Sequence, residues 1–183
     1  MKNSSKFEES YVLSLYEKSG ALKKGHFCLT SGLHSDTYLQ SALVLSRPDY
    51  AEQFGQALAA RFFPIRDDID VVAAPAVGGI IIAHEVGRAL GKPVIFAERL
   101  DGALKFKRGF KADCRALLVE DVVTTGGSLD ELAKLTTEVD RCCLLNRGRR
   151  EIVSLLKLET NLWQADECKL CEENQPEYLG SRR

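Results

Sequence analysis

Long apolar runs are missing from this sequence of 183 residues, and with them any segment of membrane-spanning length. The opening Met1-Lys2-Asn3-Ser4-Ser5 lacks the apolar core of a secretory signal, so a cytoplasmic protein is expected. A surplus of charge is missing too. Lys and Arg total 25 against 26 Asp and Glu, and a net charge of −1 supplies no basic field for nucleic acid. Neither GxGxxG nor a Walker loop occurs, since Gly78-Gly79 is followed by no lysine before Lys92. His84-Glu85 does not open an HExxH motif, because Arg88 stands where its second histidine belongs. A disulfide framework is absent as well: Cys28, Cys114, Cys142 and Cys143 are scattered or lie inside apolar segments, as reduced thiols do. Cys168 and Cys171 make a CxxC without a second CxxC to complete four zinc ligands, so two free tail thiols are expected. A site shared across a dimer, or completed by other side chains, stays open.

What is present is ordinary for a globular chain, 45% hydrophobic and 28% charged, and long enough for one domain with a real core. Its centre is Leu117 to Ser128. A short apolar run suited to a strand buried on both faces ends in Glu120-Asp121, then passes into the small residues Thr124 to Ser128 and a helical pattern through Leu129, Leu132 and Leu135. Strand, glycine loop and helix start make an anion cradle, because glycine permits close backbone approach and the free N–H groups face the guest. Two adjacent carboxylates would repel a bare phosphate; they suit the hydroxyls of a ribose or a hydrated Mg²⁺. A second strand, Ile69–Ala74, turns through Pro75-Ala76-Val77-Gly78-Gly79 into a helix over 80–90, a further set of amides suited to pyrophosphate.

Around these, the spacing predicts a helix over 7–18 and a strand–turn–strand about Ser31-Gly32. A helix capped by Ser46 should run to about residue 63 and end at Pro64. Further strands are expected at 92–97 and 141–145, with an edge strand over 152–158. His26 and His34 read as surface or capping residues, and the tail from Gln164 as having little regular structure. The segment 99–111 is basic, bounded by glycines and without helical period, as a solvated hairpin would be.

Glu120-Asp121-Val122-Val123-Thr124-Thr125-Gly126-Gly127-Ser128 resembles the signature by which type I phosphoribosyltransferases bind 5-phosphoribosyl-1-pyrophosphate, PRPP. The resemblance implies that the acidic pair holds the ribose hydroxyls and the loop the 5-phosphate, with Val77, Gly78 and Gly79 completing the PRPP site. Phe27-x-Leu29-x-Ser31-Gly32-x-x-Ser35 resembles the base-binding segment of orotate phosphoribosyltransferases, although Thr30 replaces a lysine common in that family. Orotate contacts are thereby implied for Ser31, Gly32, Thr124 and Arg147; Asn146 departs from the usual Asp before that arginine. Segment 99–111 corresponds to a mobile catalytic loop, often serving the neighbouring subunit's site. Its cations Arg99, Lys105, Lys107 and Arg108 would act there, without the family's Lys-x-His pattern.

The implied fold is α/β of the type I phosphoribosyltransferase kind: a mostly parallel central sheet flanked by helices. The N-terminal hood is expected over 1–45, the core over 46–160 and the polar tail over 161–183. The implied reaction joins orotate to PRPP, giving orotidine 5′-monophosphate and pyrophosphate in UMP biosynthesis, in a homodimer that binds neither nucleic acid nor membrane. Mg²⁺ would arrive with PRPP and take no direct protein ligand. A transferase for another base, or a non-catalytic PRPP-binding regulator, would keep the same central motif.

Overall fold

Two sheets divide the chain between them. The computed structural model describes residues 8–29, 32–111 and 113–178, so Thr30 and Ser31 of the base-binding segment lie outside the described residues, as does Phe7 of the first helix. After α1 (Glu9–Lys18) come β1 (Leu22–Cys28) and β2 (His34–Leu39), then α2 (Ser41–Leu45) and α3 (Pro48–Ala59). The core continues with β3 (Val71–Pro75), α4 (Gly79–Leu90), β4 (Val94–Leu100), β5 (Ala103–Phe106), β6 (Arg115–Val123), α5 (Gly127–Ala133), β7 (Thr137–Asn146) and β8 (Val153–Lys157). Two short strands, β9 (Leu162–Trp163) and β10 (Glu177–Tyr178), close the order.

The larger sheet runs β5-β4-β3-β6-β7-β8, parallel throughout except for β5, which returns antiparallel on β4. Its central strands are apolar at almost every position because both faces are covered. Leu117 and Val119 of β6 join Val72, Ala74, Ile82 and Leu144 in one cluster; Leu118 and Ala116 join Ala73, Leu129, Leu132 and Cys143 in the other. α3 and α4 cover the first face and α5 the second. The cause is topological. β3 leads through α4 to β4 on one side, and β6 leads through α5 to β7 on the other. Right-handed crossovers in opposite directions put their helices on opposite faces. The connections therefore part between β3 and β6, and a crevice opens at the C-terminal ends of those two strands, where α/β sheets bind ligands.

The smaller sheet, β10-β1-β2-β9, forms the hood. The β1–β2 hairpin is the expected strand–turn–strand, but its flanks correct the sequence reading. The tail supplies both outer strands, pairing Phe27 with Glu177 and His34 with Trp163. His26 and His34 are buried rather than superficial, as is Cys168, because the tail folds over them. Ser46 does not cap α3; its hydroxyl donates to the Leu43 carbonyl, closing the unforeseen α2, and Pro48 begins α3. That helix stops at Ala59, and Phe63–Asp68 continue as a 3₁₀ turn.

Candidate active site

The site is built from the two loops that leave the crevice. Alternation along β6 sends its two acids apart. Asp121 turns toward the β3–α4 loop, where a methyl group added to Gly78 would sit 2.6 Å from its Oδ1. Glu120 turns to the other face, on the side of the Ser128 hydroxyl, which favours its ionised form. Both are half-buried. Burial, then the neighbouring Asp121 charge, push Glu120 up to about 7 against the weaker pull of Ser128. Burial also raises Asp121, partly offset by the backbone N–H groups of Asp121 and Val122. Such acids are costly to ionise until hydroxyls or a cation meet them.

The phosphate-type loop follows. Gly126 takes φ +80° as the cap of α5, a left-handed conformation that glycine adopts without strain. The Gly127 N–H lies 3.4 Å from the Thr125 hydroxyl oxygen. Arg150 lies against Gly126 and is held by Asp130 of α5 at 2.6 and 2.7 Å. Across the crevice, Val77 is 82% exposed beside Gly78 and Gly79, at the start of α4.

Beside this loop lies a cavity of about 420 Å³ under the hood, walled by Leu29 and Leu33 above, Thr124 and Thr125 below, and Arg147, Thr160 and Leu162 at the side. Arg149 and Arg147 both line it, and of the two Arg147 is the one with a buried nitrogen. Nη2 donates to the Thr160 hydroxyl at 2.8 Å, whereas the buried Nε has no partner, and no carboxylate pairs with the guanidinium among the described residues. Burial lowers its pKa from the ordinary arginine value. Asn146 shapes the loop that presents it, accepting from the Gly148 N–H and donating to the Arg150 carbonyl, both at 2.9 Å. A carboxylate there would make only the first bond, which accounts for amide over acid in this chain. A neighbouring hollow of about 460 Å³ touches Arg141 and Arg150, but Asp130 and Glu138 already neutralise those arginines.

The loop cations are not gathered over the cradle. Arg99 pairs with Glu131 at 3.1 Å, Lys105 with Asp101 at 3.4 Å and Arg108 with Glu98 at 2.9 Å. The Lys107 side chain makes no hydrogen bond or ion pair among the described residues and stays exposed, while its carbonyl accepts from the Phe110 N–H. The register sets Phe106 beside Ala97, and Phe110 then packs on the Phe96 ring, so this segment turns back along the sheet edge. Gly32 is exposed at the hood turn with φ +82°. Sequence reasoning missed Thr160 and Leu162 as cavity residues, since only the fold of the tail carries them there.

With crevice, cradle and hood in place, the architecture is that of the type I phosphoribosyltransferases. The solved orotate phosphoribosyltransferase of Aeropyrum pernix superposes with a TM-score of 0.65 at 22% identity, covering 80% of this chain and 93% of that one. The adenine phosphoribosyltransferase of Thermoanaerobacter pseudethanolicus gives 0.56 at 20% identity, covering 67% and 88%. No family model matches. Sequence relatives narrow the class: the chain is 43% identical to the orotate phosphoribosyltransferase of Caldanaerobacter subterraneus subsp. tengcongensis, over 92% of this chain and 95% of that protein. It is 40% identical to that of Chlorobium phaeobacteroides strain BS1, over 93% and 95%. The chain belongs to the orotate phosphoribosyltransferase family. Among the described residues no helix is long and apolar enough to cross a membrane.

Proposed function

We propose that this protein transfers the phosphoribosyl group of PRPP to orotate, releasing pyrophosphate, in the cavity beneath the hood. The observation that carries the choice of base is Arg147. A guanidinium with a buried, unbonded Nε and no acid partner favours a guest bearing a carboxylate, and among the common pyrimidines and purines orotate carries one. Leu29 and Leu33 supply apolar surface for the faces of a flat ring, and Thr124 lies between ring site and cradle. With threonine at position 30 in place of the lysine common in the family, recognition of the carboxylate falls to the cavity's arginines, Arg147 foremost because its Nε is buried and unbonded.

In this reading the Thr124–Ser128 loop takes the 5-phosphate on backbone N–H groups, and Asp121 and Glu120 accept from the ribose hydroxyls. The anomeric C–O bond to pyrophosphate breaks with its electron pair leaving on oxygen, and the ring nitrogen forms the new C–N bond. Positive charge that develops on the sugar in between is oxocarbenium-like. Orotate enters as the N-deprotonated anion, so no side chain is required as general base. Val77–Gly79 and the cations of segment 99–111 receive the departing charge, and among Arg99, Lys105, Lys107 and Arg108 it is Lys107 whose side chain is not engaged in an ion pair.

The donor set also fits Mg²⁺, which takes hard oxygen ligands. Of the two acids, Asp121, beside Gly78, is placed to hold a hydrated cation carried by PRPP. Bound there, Mg²⁺ would neutralise charge on the pyrophosphate oxygens. The test is consumption of orotate by the purified protein with PRPP and Mg²⁺, beside uracil, hypoxanthine and adenine. Orotate-only turnover is expected. Activity on another base instead would overturn the role given to Arg147, and PRPP binding without any turnover would make the protein a regulator.

A further inference from the structure

Four nitrogen and sulfur donors converge in the hood, two from the β1–β2 hairpin and two from the distant tail. His26 of β1 and His34 of β2 face each other with Nε2 and Nδ1 3.0 Å apart. The tail's CxxC meets them: Cys168 Sγ is 3.4 Å from His26 Nε2, and Cys171 Sγ is 3.7 Å from His26 Nε2 and 3.3 Å from His34 Nδ1. All four candidate ligand atoms lie within 4.8 Å of one another. Zinc bonded to nitrogen at about 2.0–2.1 Å and to sulfur at about 2.3 Å spaces its ligands about 3.3–3.8 Å apart along the tetrahedron's edges. The observed separations fall close to those edges.

The surroundings are those of a built site. Three of the four residues are buried, and only Cys171 reaches solvent. His26 directs Nε2 inward because Nδ1 lies 3.0 Å from both the Asn174 carbonyl and its side-chain oxygen, two acceptors that require the proton on Nδ1. This is the outer-shell contact that fixes tautomer and ring orientation in histidine–zinc sites. Asn174 is itself anchored to the CxxC turn, its N–H donating to the Leu170 carbonyl. Two sulfurs and two imidazole nitrogens select zinc over harder divalent ions.

We propose that His26, His34, Cys168 and Cys171 form a structural zinc site that clamps the C-terminal tail to the hood. Four protein ligands leave no open position, so the metal is structural, not catalytic. Its mechanical effect follows from the topology. The tail's β10 and β9 are only two residues long, too short to hold the outer edges of the hood by hydrogen bonds alone. The clamp also touches the cavity roof, since the ligand His34 follows the wall residue Leu33.

Metal analysis of the full chain tests this independently of any transferase activity. Mass-spectrometric metal determination on protein purified without chelator is expected to find about one zinc per chain. Replacing zinc with cobalt(II) should give the intense visible bands of a tetrahedral thiolate site, and removing the metal should lower Tm. In the C168S/C171S double variant the bound zinc should fall to about a tenth or less. Should that variant fail to fold, alkylation of the wild-type chain decides: Cys168 and Cys171 are expected to resist reagent with zinc and react once it is chelated. Metal-free protein with unchanged Tm, a cobalt spectrum without thiolate character, or a Cys168–Cys171 disulfide in place of metal would each overturn the site.

Discussion

Arg147 and Glu120 show how single residues hold unfavourable states in readiness for a guest. Replacing Arg147 by methionine keeps the apolar stem and deletes the unpaired charge. The KM for orotate is expected to rise roughly 10- to 100-fold, the worth of charge-assisted bonds, while PRPP affinity changes less than about twofold. Steady-state kinetics with each substrate varied in turn would check this; a wild-type KM for orotate would remove Arg147 from the base site. Glu120 gives a pH-dependent signature. Its folded pKa of about 7 lies above the unfolded carboxylate value, so the folded form binds the proton more tightly. The contribution to stability is full below the unfolded pKa and is lost as pH rises through about 7. Glu120→Gln should therefore raise Tm over wild type at pH 8, by at most about 3 kcal/mol of stability, and leave it nearly unchanged at pH 4. The same variant should bind PRPP more weakly. An equal Tm difference at both pH values would contradict the buried-acid reading.

At the scale of elements, the β3–α4 loop and the β6–α5 loop meet only because Gly78 has no side chain. Gly78→Ala would push its methyl onto the Asp121 carboxylate, and PRPP affinity measured by calorimetry is expected to fall at least about tenfold with α4 still folded. The β4–β5 hairpin makes a different prediction. Arg99, Lys105 and Arg108 are held in ion pairs along it, and Lys107 is not. Lys107→Ala should slow turnover by roughly 10²–10³ while PRPP binding stays close to wild type, as for a group acting on the departing charge. Wild-type turnover would hand that role to one of its neighbours. The elements themselves were largely legible. Apolar runs marked β3, β4, β6, β7 and β8, and the Leu129, Leu132 spacing marked α5. α2 escaped notice because five residues are too few to show a period. Ser46 misled because its hydroxyl serves the helix before it, not the one after.

Across the whole molecule, the loop over 99–111 turns along the sheet edge instead of over its own cradle, which is the arrangement expected if it serves a second copy of the chain. Mixing inactive Asp121→Asn and Lys107→Ala subunits should then restore up to about a quarter of wild-type activity, because half the mixed dimers' sites carry neither change. No recovery on mixing would place each loop in its own subunit's site. The sequence by itself determined the strands of the larger sheet and the glycine loop after β6, for a physical reason: each is a local pattern, and an apolar strand, two acids, a glycine loop and a helix follow one another between Leu117 and Leu135. Asn146-Arg147 was visible as a strand end, but not as a buried guanidinium lacking an acid, since that depends on what other segments bring to it. Only the tertiary structure decided how the tail completes the hood. Its sheet pairs residues separated by more than a hundred positions, and its histidines and cysteines carry no local pattern that joins them. Folding of the tail over β1 and β2 brings two unremarkable histidines and a lone CxxC into one cluster.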